Sequence, residues 1–303
     1  MIAVSRINFD LDVLRSFVTG VELGSFAQAA DRLGRSTSAV SAQLRKLEEQ
    51  AGAAVFRKSG RGLALTDAGE TMLAYARRLI DLNDEAAVAM RGVDLEGWVR
   101  LGMPEDFGEA VLPDILGRFV RAHPKVRIEA RVARNAELLN QAAENRLDLA
   151  LVWNDGSNAT RGDAVSDVNL RWIGPATAHD IWQPGHSEPL PLVVFEAPCI
   201  VRSAATAALD RAGIPWRVVF TSPSLGGLWA AVSAGLGYTI RTGIGLPSGV
   251  RAMGVGEGGL PELPSLSLSL HRPGLDKGSP AGRLAEIVLQ EVRAIAGAML
   301  LAA

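Results

Sequence analysis

The stretch over residues 25–47 constrains the fold most, because it reads as two short helices joined by a tight turn. Ser25 can cap the first helix, since its hydroxyl can accept a backbone N–H that has no partner within the helix. Gly34 can end that helix, because glycine tolerates the left-handed conformation of a helix end. Between them, apolar residues recur with the spacing that predicts one buried helix face. These residues are Phe26, Ala29, Ala30 and Leu33.

The second helix of this stretch has a polar outer face. Ser36 or Thr37 can cap it, and its inward positions are expected to be Ala39, Val40, Leu44 and Leu47. Hydroxyls, an amide and a cation remain outside, a combination that suits the major groove of DNA. These outward residues are Thr37, Ser38, Ser41, Gln43 and Arg45. The alternative is an ordinary helical hairpin whose polar face meets only solvent.

A basic hairpin is predicted directly after the second helix. Two short apolar runs, at residues 55–56 and 63–65, flank a glycine-rich segment that holds Arg57, Lys58 and Arg61. Beside a recognition helix, such a hairpin is a wing that contacts phosphates or enters the minor groove. A purely solvated hairpin is the alternative, but it would not need three cations and no acid.

Residues 9–69 resemble the winged helix-turn-helix of the LysR-type transcriptional regulators. The resemblance runs without a gap through LRSFV, GSFAQAADRLGRSTSAVSAQLRKL and LTDAG, and its Ala-Val-Ser-x-Gln-Leu and Leu-Thr-x-Ala-Gly segments are highly specific. Within the second half, GIPWRVVFTSPSLGGLWAAVSAGLGYTIR is similar to the branch that includes the HexA and LrhA regulators. The resemblance implies a sequence-specific DNA-binding regulator whose activity responds to a small molecule, and not an enzyme.

The resemblance also implies which residues contact DNA, with the helix over residues 36–47 in the major groove and Arg61 in the minor groove. The family commonly has a longer polar residue at Thr37, a proline at Ser38 and an arginine at Ala42, so the residues that read the bases stay open. The candidates for base or phosphate contact are Ser25, Arg35, Ser36, Thr37, Ser38, Ser41, Gln43, Arg45, Arg57, Lys58 and Arg61.

Charge is segregated along the chain in the same sense. The whole protein has a net charge of -2. Residues 1–66 contain nine basic and six acidic residues, a net charge of +3, which leaves -5 for the remainder. The positive part is therefore the part that carries the recognition motif.

A long helix is predicted next, over residues 67–92. Thr66 can cap it, with Asp67 and Glu70 in its first turn, where the helix dipole favours acids. Residues spaced alternately by three and four form a coiled-coil seam, which predicts that a second chain packs on this helix. A dimer would place two recognition helices on two half-sites of the DNA. The seam is Leu73, Ala76, Ile80, Asn83, Ala87 and Met90, with Asn83 as a register-setting pair. The alternative is a long helix that lies on its own domain.

After a hinge at residues 92–97, the pattern changes to alternating strands and helices. Strands over 98–103, 126–132 and 147–153 alternate with helices over 108–122 and 136–145, which predicts a parallel sheet with helices on both faces. Residues 154–169 are expected to be a polar loop. A second lobe follows, with strands near 170–175, 179–183, 192–196, 217–221 and 237–242, and helices at 202–213 and 224–235.

The strand at 266–270 and the helix at 281–300 are expected to return to the first lobe, so the chain crosses between lobes twice. Two such lobes resemble the periplasmic-binding-protein clamp of the family's effector domain. The expected fold is α/β overall, with an N-terminal winged helix-turn-helix, a long linker helix and this two-lobed domain. The expected boundaries are 8–66, 67–92, a hinge at 93–97, and 98–303, with lobe I at 98–168 and 266–303 and lobe II at 169–265.

The effector is expected at the carboxyl ends of the strands, between the two lobes. Many family members hold a carboxylate with hydroxyl residues in the first loop, where this chain has Glu105 and Asp106. These acids repel a carboxylate unless Arg134, Arg202 or Arg241 outweighs them. We therefore expect an effector that is neutral, cationic or absent. Alternatively, the acids only cap the following helix. The predicted lining is Pro104, Glu105, Asp106, Arg134, Asn135, Trp153, Cys199, Arg202, Ser203, Ser222, Ser224, Tyr238 and Arg241.

Other classes of function find little support. The four histidines, His123, His179, His186 and His271, have no metal-ligand spacing, and no catalytic motif is present, so no metal or cofactor is expected. An enzyme would need more titratable groups in the cleft. A solute-binding protein would need export, whereas the N-terminus has acids where a signal peptide is apolar. Neither alternative explains the basic wing.

The expected setting is the cytoplasm. The single cysteine, Cys199, cannot form a disulfide within the chain, and is interpreted as a buried structural residue or as an intermolecular thiol switch. No run of about 18 apolar residues exists, so no membrane partner is expected. The expected partners are double-stranded operator DNA, further copies of the chain as a homodimer or homotetramer, a small-molecule effector and RNA polymerase.

Overall fold

The structure is a computed structural model that describes residues 7–59, 62–90, 95–154, 162–177, 181–185, 188–272, 274, 276 and 278–301. The chain divides into two compact units, Met1–Val93 and Asp94–Ala303. The tip of the predicted wing, with Arg61, and much of the predicted hinge lie outside the described residues.

The first unit has four helices and a two-stranded hairpin in its described part. The strands are antiparallel, with Phe56 opposite Leu65 and Ser59 opposite Gly62. This arrangement agrees with the predicted winged helix-turn-helix. The elements are α1 Leu11–Glu22, α2 Phe26–Arg32, α3 Thr37–Ala51, β1 Phe56–Ser59, β2 Gly62–Leu65 and α4 Asp67–Met90.

Local capping sets where these helices begin. Ser25 accepts the N–H of Gln28 at 3.3 Å, and Ser36 accepts the N–H of Ala39 at 3.2 Å, so α2 and α3 begin where the sequence predicts. Gly34 has a φ of +65°, as a helix end requires. The sequence predicts the first helix over residues 8–22, but Asp10 caps it and α1 begins at Leu11.

The helix α4 packs on its own unit over its first half. Leu73 and Ile80 are each 7% exposed and Ala76 is fully buried, in one core with Phe17 and Val55. The prediction that a second chain covers this seam is therefore wrong for its first half, because α1 lies against α4. At the other end of the predicted seam Met90 is 86% exposed. The spacing of apolar residues shows that one face of the helix is buried, but it does not show whether the same chain or a second chain covers that face.

The second unit alternates strands and helices. Its first elements are β3 Gly97–Met103, α5 Glu105–Ala110, α6 Leu112–Ala122, β4 Val126–Val132, α7 Asn135–Ala143, β5 Leu149–Asn154, β6 Asp163–Asn169, β7 Arg171–Pro175 and β8 Leu190–Phe195. They are followed by α8 Ile200–Arg211, β9 Trp216–Ser222, α9 Leu225–Ser233, β10 Thr239–Arg241, β11 Val250–Ala252, a 3-10 turn at Glu257–Gly259, β12 Ser265–His271 and α10 Pro280–Leu301.

One five-stranded sheet and the helices beside it make up what we call the first lobe. The strand order is β4-β3-β5-β12-β6. The strand β3 runs parallel to β4 and β5, whereas β12 is antiparallel to both of its neighbours. The largest core of the unit lies on this sheet, where α6 and α10 contribute Phe119 and Val288.

Two predictions for the first lobe are wrong. The expected loop over 154–169 contains β6, which reads as polar because it is an edge strand whose Asp167 accepts from Ser267. The single helix expected over 108–122 is two helices, which begin at Glu105 and break at Val111. Pro113 lies in the first turn of α6, where its missing N–H has no helical partner to lose.

The remaining strands and α8 and α9 make up what we call the second lobe. Its strands form a sheet of order β10-β7-β11 and a parallel pair β8-β9, which a bridge between Leu192 and Tyr238 connects. The strand expected over 179–183 lies partly outside the described residues, and Ile181–Gln183 are not in a strand. The strand β11 was not predicted.

The two chain crossings between the lobes run side by side. Asn169 at the end of β6 is opposite Ser265 at the start of β12. Next to them, the N–H of Leu170 donates to the carbonyl of Pro264 at 3.4 Å. The lobes are therefore joined by two adjacent segments, the arrangement in which two lobes can close on a ligand. No helix in the described part of the chain is both long and apolar enough to cross a membrane.

Candidate nucleic-acid interface and interlobe cleft

The outer face of α3 carries small polar residues and one cation. Thr37, Ser38, Ser41 and Arg45 are exposed, as predicted. The hydroxyl of Ser41 donates to the carbonyl of Thr37 at 2.9 Å, and the hydroxyls of Ser36 and Ser38 lie 3.0 Å apart. The cap at Ser36 fixes where α3 begins, and the exposed residues of its first turns are free to contact a partner.

Two residues of α3 are not oriented as predicted. Gln43 was expected to point outward, but it is half-buried and its Oε1 accepts from the hydroxyl of Ser16 at 2.7 Å. It lies three residues after Val40 and four before Leu47, so it shares their inward face. Ala39 was expected to be inward, but it is exposed because it lies a quarter-turn away from that face.

The wing is tied to α3 by a carboxylate. Oε1 of Glu48 accepts the N–H of Val55 at 2.9 Å and that of Phe56 at 3.3 Å. Arg57 and Lys58 are exposed, but they lie in β1 rather than at the tip of the hairpin. Sequence reasoning missed Glu48, since an acid on a helix beside a basic hairpin has no distinctive pattern.

Two cations near α3 already have acidic partners. Arg35 pairs with Asp12 at 2.7 Å, and Lys46 pairs with Asp10 at 3.2 Å. The hydrogen bond from Lys46 lowers the pKa of Asp10. Such exposed pairs contribute little to stability, so a phosphate can replace the carboxylate at small cost. The hydroxyl of Ser25, another predicted contact, is used as the cap of α2.

The lobes are joined by a buried ion pair. Arg241 of β10 donates from Nε to Oδ1 of Asp106 at 2.9 Å, and its terminal nitrogen binds the other carboxylate oxygen. The side chains are 5% and 2% exposed. The ring of Phe195 lies against the guanidinium, with 4.5 Å between the ring centre and its carbon.

The neighbouring acid also reaches the second lobe. Oε2 of Glu105 accepts the N–H of Leu225, the first residue of α9, at 2.6 Å. Burial raises the pKa of Glu105, and the bond from Leu225 opposes this shift. Of the three arginines that could outweigh the acids, Arg241 is the one that neutralises Asp106, so the two acids do not present free negative charge to a ligand. They lie in the first turn of α5, but their carboxylates are bound on the other side of the cleft.

Two further arginines meet the end of β8. Arg134 donates to the carbonyl of Glu196 at 3.3 Å and lies 3.7 Å from its carboxylate. Arg202 donates to the carbonyl of Phe195 at 3.4 Å. Sequence reasoning missed Phe195 and Glu196, although they follow the same rule as the predicted residues, since they stand at the carboxyl end of a strand.

The other predicted lining residues have structural contacts. The amide of Asn135 makes two bonds to the backbone of Trp153, at 2.9 and 2.7 Å. The hydroxyl of Ser222 is bonded to the backbone of Ser224, which caps α9. Pro104 and Tyr238 are buried, Ser203 is exposed, and Cys199 is a half-buried residue at the start of α8. Among the described residues, no cluster of acids, histidines and cysteine could hold a metal ion.

Two family models match the chain. The model of the bacterial regulatory helix-turn-helix protein of the lysR family matches residues 11–70, and that of the LysR substrate binding domain matches residues 93–291. The curated relatives include the transcriptional regulator DgdR of Burkholderia cepacia, which is 33% identical over 290 residues and 95% of each chain. PecT of Dickeya dadantii is 35% identical over 271 residues, which are 88% of this chain and 82% of PecT.

Solved structures share the fold. CrgA, a LysR-type regulator of Neisseria meningitidis, matches 94% of this chain and 99% of its own with a TM-score of 0.52 and 21% identity. DarR of Vibrio fischeri, determined in complex with DNA, matches 93% and 99% with a TM-score of 0.51 and 15% identity. The family models and the relatives together show that this chain belongs to the LysR family, as a DNA-binding transcriptional regulator with an effector-binding domain and not as an enzyme.

Proposed function

We propose that this regulator reads its operator with the outer face of α3 and holds the flanking phosphates with the wing. The observation that carries the proposal is the exposed row of Thr37, Ser38, Ser41 and Arg45 on a capped helix. A guanidinium at this face can donate to a guanine edge, and the hydroxyls can meet either base edges or phosphates. Gln43 leaves the list of direct readers, since its amide oxygen is bound to Ser16.

The wing supplies phosphate contacts rather than base contacts. Arg57 and Lys58 are consecutive exposed residues of β1, so their side chains leave opposite faces of the hairpin, and Arg57 also donates from Nε to the carbonyl of Leu65 at 3.3 Å. Arg61 is assigned to the minor groove on sequence grounds alone. Arg35 joins them by exchanging Asp12 for a phosphate. Contacts of this kind strengthen binding to every DNA sequence and make it sensitive to salt.

A mobility-shift assay of the purified protein on its own upstream intergenic DNA tests these roles. Arg45→Ala should weaken specific binding about tenfold or more, with less effect on competitor DNA. Lys58→Ala and Arg61→Ala should weaken binding to both DNAs and reduce the salt slope by about one unit each. Arg146→Ala removes an equal charge from an exposed position of the second unit and serves as the control. An Arg45→Ala protein that binds like this control would refute the assignment.

The same chain acts as a homodimer, or as a homotetramer built from dimers, through the outer face of α4. Four large apolar residues are exposed there. The first three and the exposed Ala86 are spaced by four, three and four, as in a coiled-coil face, and Met90 lies one turn further on. A second copy of the helix is the partner that such a face fits. The residues are Tyr75 at 58%, Leu79 at 40%, Leu82 at 59% and Met90 at 86% exposure.

Sedimentation of the full chain tests this interface. Leu82→Glu should shift the protein toward monomer, because a buried charge without a partner opposes association. Ala74→Glu adds the same charge to an exposed residue of α4 away from the apolar row and should leave the assembly unchanged. If both variants sediment like the wild type, the second copy binds elsewhere.

The second unit is the sensor. Its lobes are assigned to residues 98–168 with 266–303 and to residues 169–265, and an effector acts by binding one lobe arrangement more tightly than another. The DNA-binding domain, linker helix and hinge are assigned to 8–66, 67–92 and 93–97. The protein works in the cytoplasm on operator DNA and acts on RNA polymerase there. Its place in the HexA and LrhA branch stays a prediction.

A further inference from the structure

We infer that Asp106 is a built-in ligand, whose carboxylate fills an anion-binding position on Arg241 that a small carboxylate occupies when Asp106 is removed or displaced. The inference refines the effector-binding role proposed above and rests on it for its regulatory consequence. The site itself follows from the contacts within the second unit.

The first argument is the environment of Arg241. A guanidinium that is 5% exposed requires a negative partner, because an unpaired buried charge is strongly destabilising. Its fork binds both oxygens of a carboxylate, and the Phe195 ring covers its face at 4.5 Å. A guanidinium that stacks on an aromatic ring and points its N–H groups away from the ring can bind a carboxylate through both oxygens. The group that occupies it here comes from the chain, 135 residues away.

The second argument is the neighbouring position. The N–H of Leu225 opens the nine-residue helix α9, whose N-terminus carries partial positive charge. The carboxylate of Glu105 binds it at 2.6 Å. The second lobe therefore has two groups that bind a carboxylate oxygen, the N-terminus of α9 and the guanidinium of Arg241. The first lobe fills them with two consecutive residues, as a tethered dicarboxylate would.

This arrangement changes the class of ligand expected. Asp106 holds the edge of the guanidinium formed by Nε and Nη2, so an anion that takes this edge must compete with Asp106. Once expelled, Asp106 cannot stay buried without a partner, so α5 must separate from β10. Binding of a carboxylate is thereby coupled to opening of the lobes, and the neutral or cationic effector expected from the sequence is replaced by an anionic competitor.

The test is chemical rescue of Asp106→Ala in the full-length protein, followed by thermal unfolding. All six tryptophans lie between residues 98 and 229, so their fluorescence reports on the second unit and needs no DNA. The variant should lose about 5 °C or more of Tm. Formate or acetate should restore much of it in a saturable manner, whereas chloride at equal ionic strength should not. The wild type, already occupied, should gain no more from formate than from chloride.

Matched variants keep the result interpretable. Asp114→Ala removes an exposed acid of α6 and should show neither the loss nor the rescue. Asp106→Ala combined with Arg241→Met should recover stability, since an apolar residue needs no counter-ion, and it should not respond to formate. If Asp106→Ala does not fold, Asp106→Asn keeps the shape and removes the charge, and the same comparison is made with it.

Two results would overturn the inference. One is a stable Asp106→Ala protein that ignores formate and acetate. The other is an equal gain from formate in the wild type or in the double variant, which places the anion elsewhere. DNA binding is measured separately, so a wild type that fails to shift its operator counts against the proposed function alone.

Discussion

Ser16 and Gln43 connect α1 to α3 by a hydrogen bond of 2.7 Å. Ser16 is fully buried, so this bond satisfies a hydroxyl that water cannot reach. Gln43, one of the five predicted outward residues of α3, is thus a contact of the domain core.

Gln43→Ala should lower the stability of the first unit by about 1 kcal/mol, because the hydroxyl of Ser16 loses its shorter bond and keeps only the carbonyl of Asp12, at 3.0 Å, as an acceptor. Amide hydrogen exchange of α1 and α3 measures this, since the first unit contains no tryptophan. Thr37→Ala, at an exposed position of the same helix, should change exchange by less than about 0.5 kcal/mol. Equal exchange in both variants would mean that Gln43 faces outward after all.

Glu48→Ala should destabilise the wing by about 1–3 kcal/mol, since it leaves the buried N–H of Val55 without an acceptor. DNA affinity should fall as well, because the wing is then no longer held against α3. Glu48→Gln keeps an acceptor oxygen and should recover most of both losses. The exposed neighbour Glu49→Ala removes the same charge and serves as the control. If Glu48→Gln is as impaired as Glu48→Ala, charge rather than positioning matters.

Ile80→Ala should destabilise the fold of the first unit by about 2–4 kcal/mol, because Ile80 is 7% exposed in the core that α1 and α4 share. Leu82→Ala should leave the protection of α1 within about 0.5 kcal/mol of the wild type and should instead weaken the dimer. Hydrogen exchange of α1 and sedimentation separate the two effects. If Ile80→Ala instead dissociated the protein and left the hydrogen exchange of α1 unchanged, Ile80 would belong to an interface with a second chain.

The second unit should lose stability on mild acidification. Burial lowers the pKa of both His123 and His271 below their ordinary value of 6.5. The folded state therefore binds these protons less readily than the unfolded chain, so stability is complete above pH 6.5 and falls as the pH drops below it. Tryptophan-detected Tm should decrease by a few degrees between neutral pH and about pH 5.5.

The variant with His123→Gln and His271→Gln tests the cause of this slope. It should be less stable than the wild type at neutral pH, because His123 packs on Phe119 with ring centres 5.0 Å apart, but its Tm should change less with pH. The raised pKa of Glu105 has the opposite effect, because the folded state binds that proton more readily than the unfolded chain does. An unchanged slope in the variant would assign the acid sensitivity to other groups.

Features that depend on neighbours in sequence were predictable. The caps at Ser25 and Ser36 and the glycine at position 34 act within one turn of chain, so the helix-turn-helix follows from local hydrogen bonding alone. The alternation of buried strands and helices after residue 97 was likewise readable, because it follows from periodicity. The strand β6 was missed, since an edge strand with serine and aspartate partners has the composition of a loop.

Features that depend on distant partners were not predictable. Burial of Leu73 and Ile80 was correctly read from spacing, but the covering surface was assigned to a second chain instead of α1. The carboxylates of Glu105 and Asp106 were recognised as unusual, yet their partners at Leu225 and Arg241 are far along the chain. No spacing rule connects such residues, because the sheets and helices of two lobes bring them together.

The amino-acid sequence by itself determined the family, the winged helix-turn-helix, and the order of most strands and helices. Only the tertiary structure decided that Gln43 belongs to the core, that α4 covers its own unit first, and that Asp106 neutralises Arg241. The physical reason is that periodicity and capping report which groups leave water, whereas the partner that each group finds is set by packing across long separations in the chain.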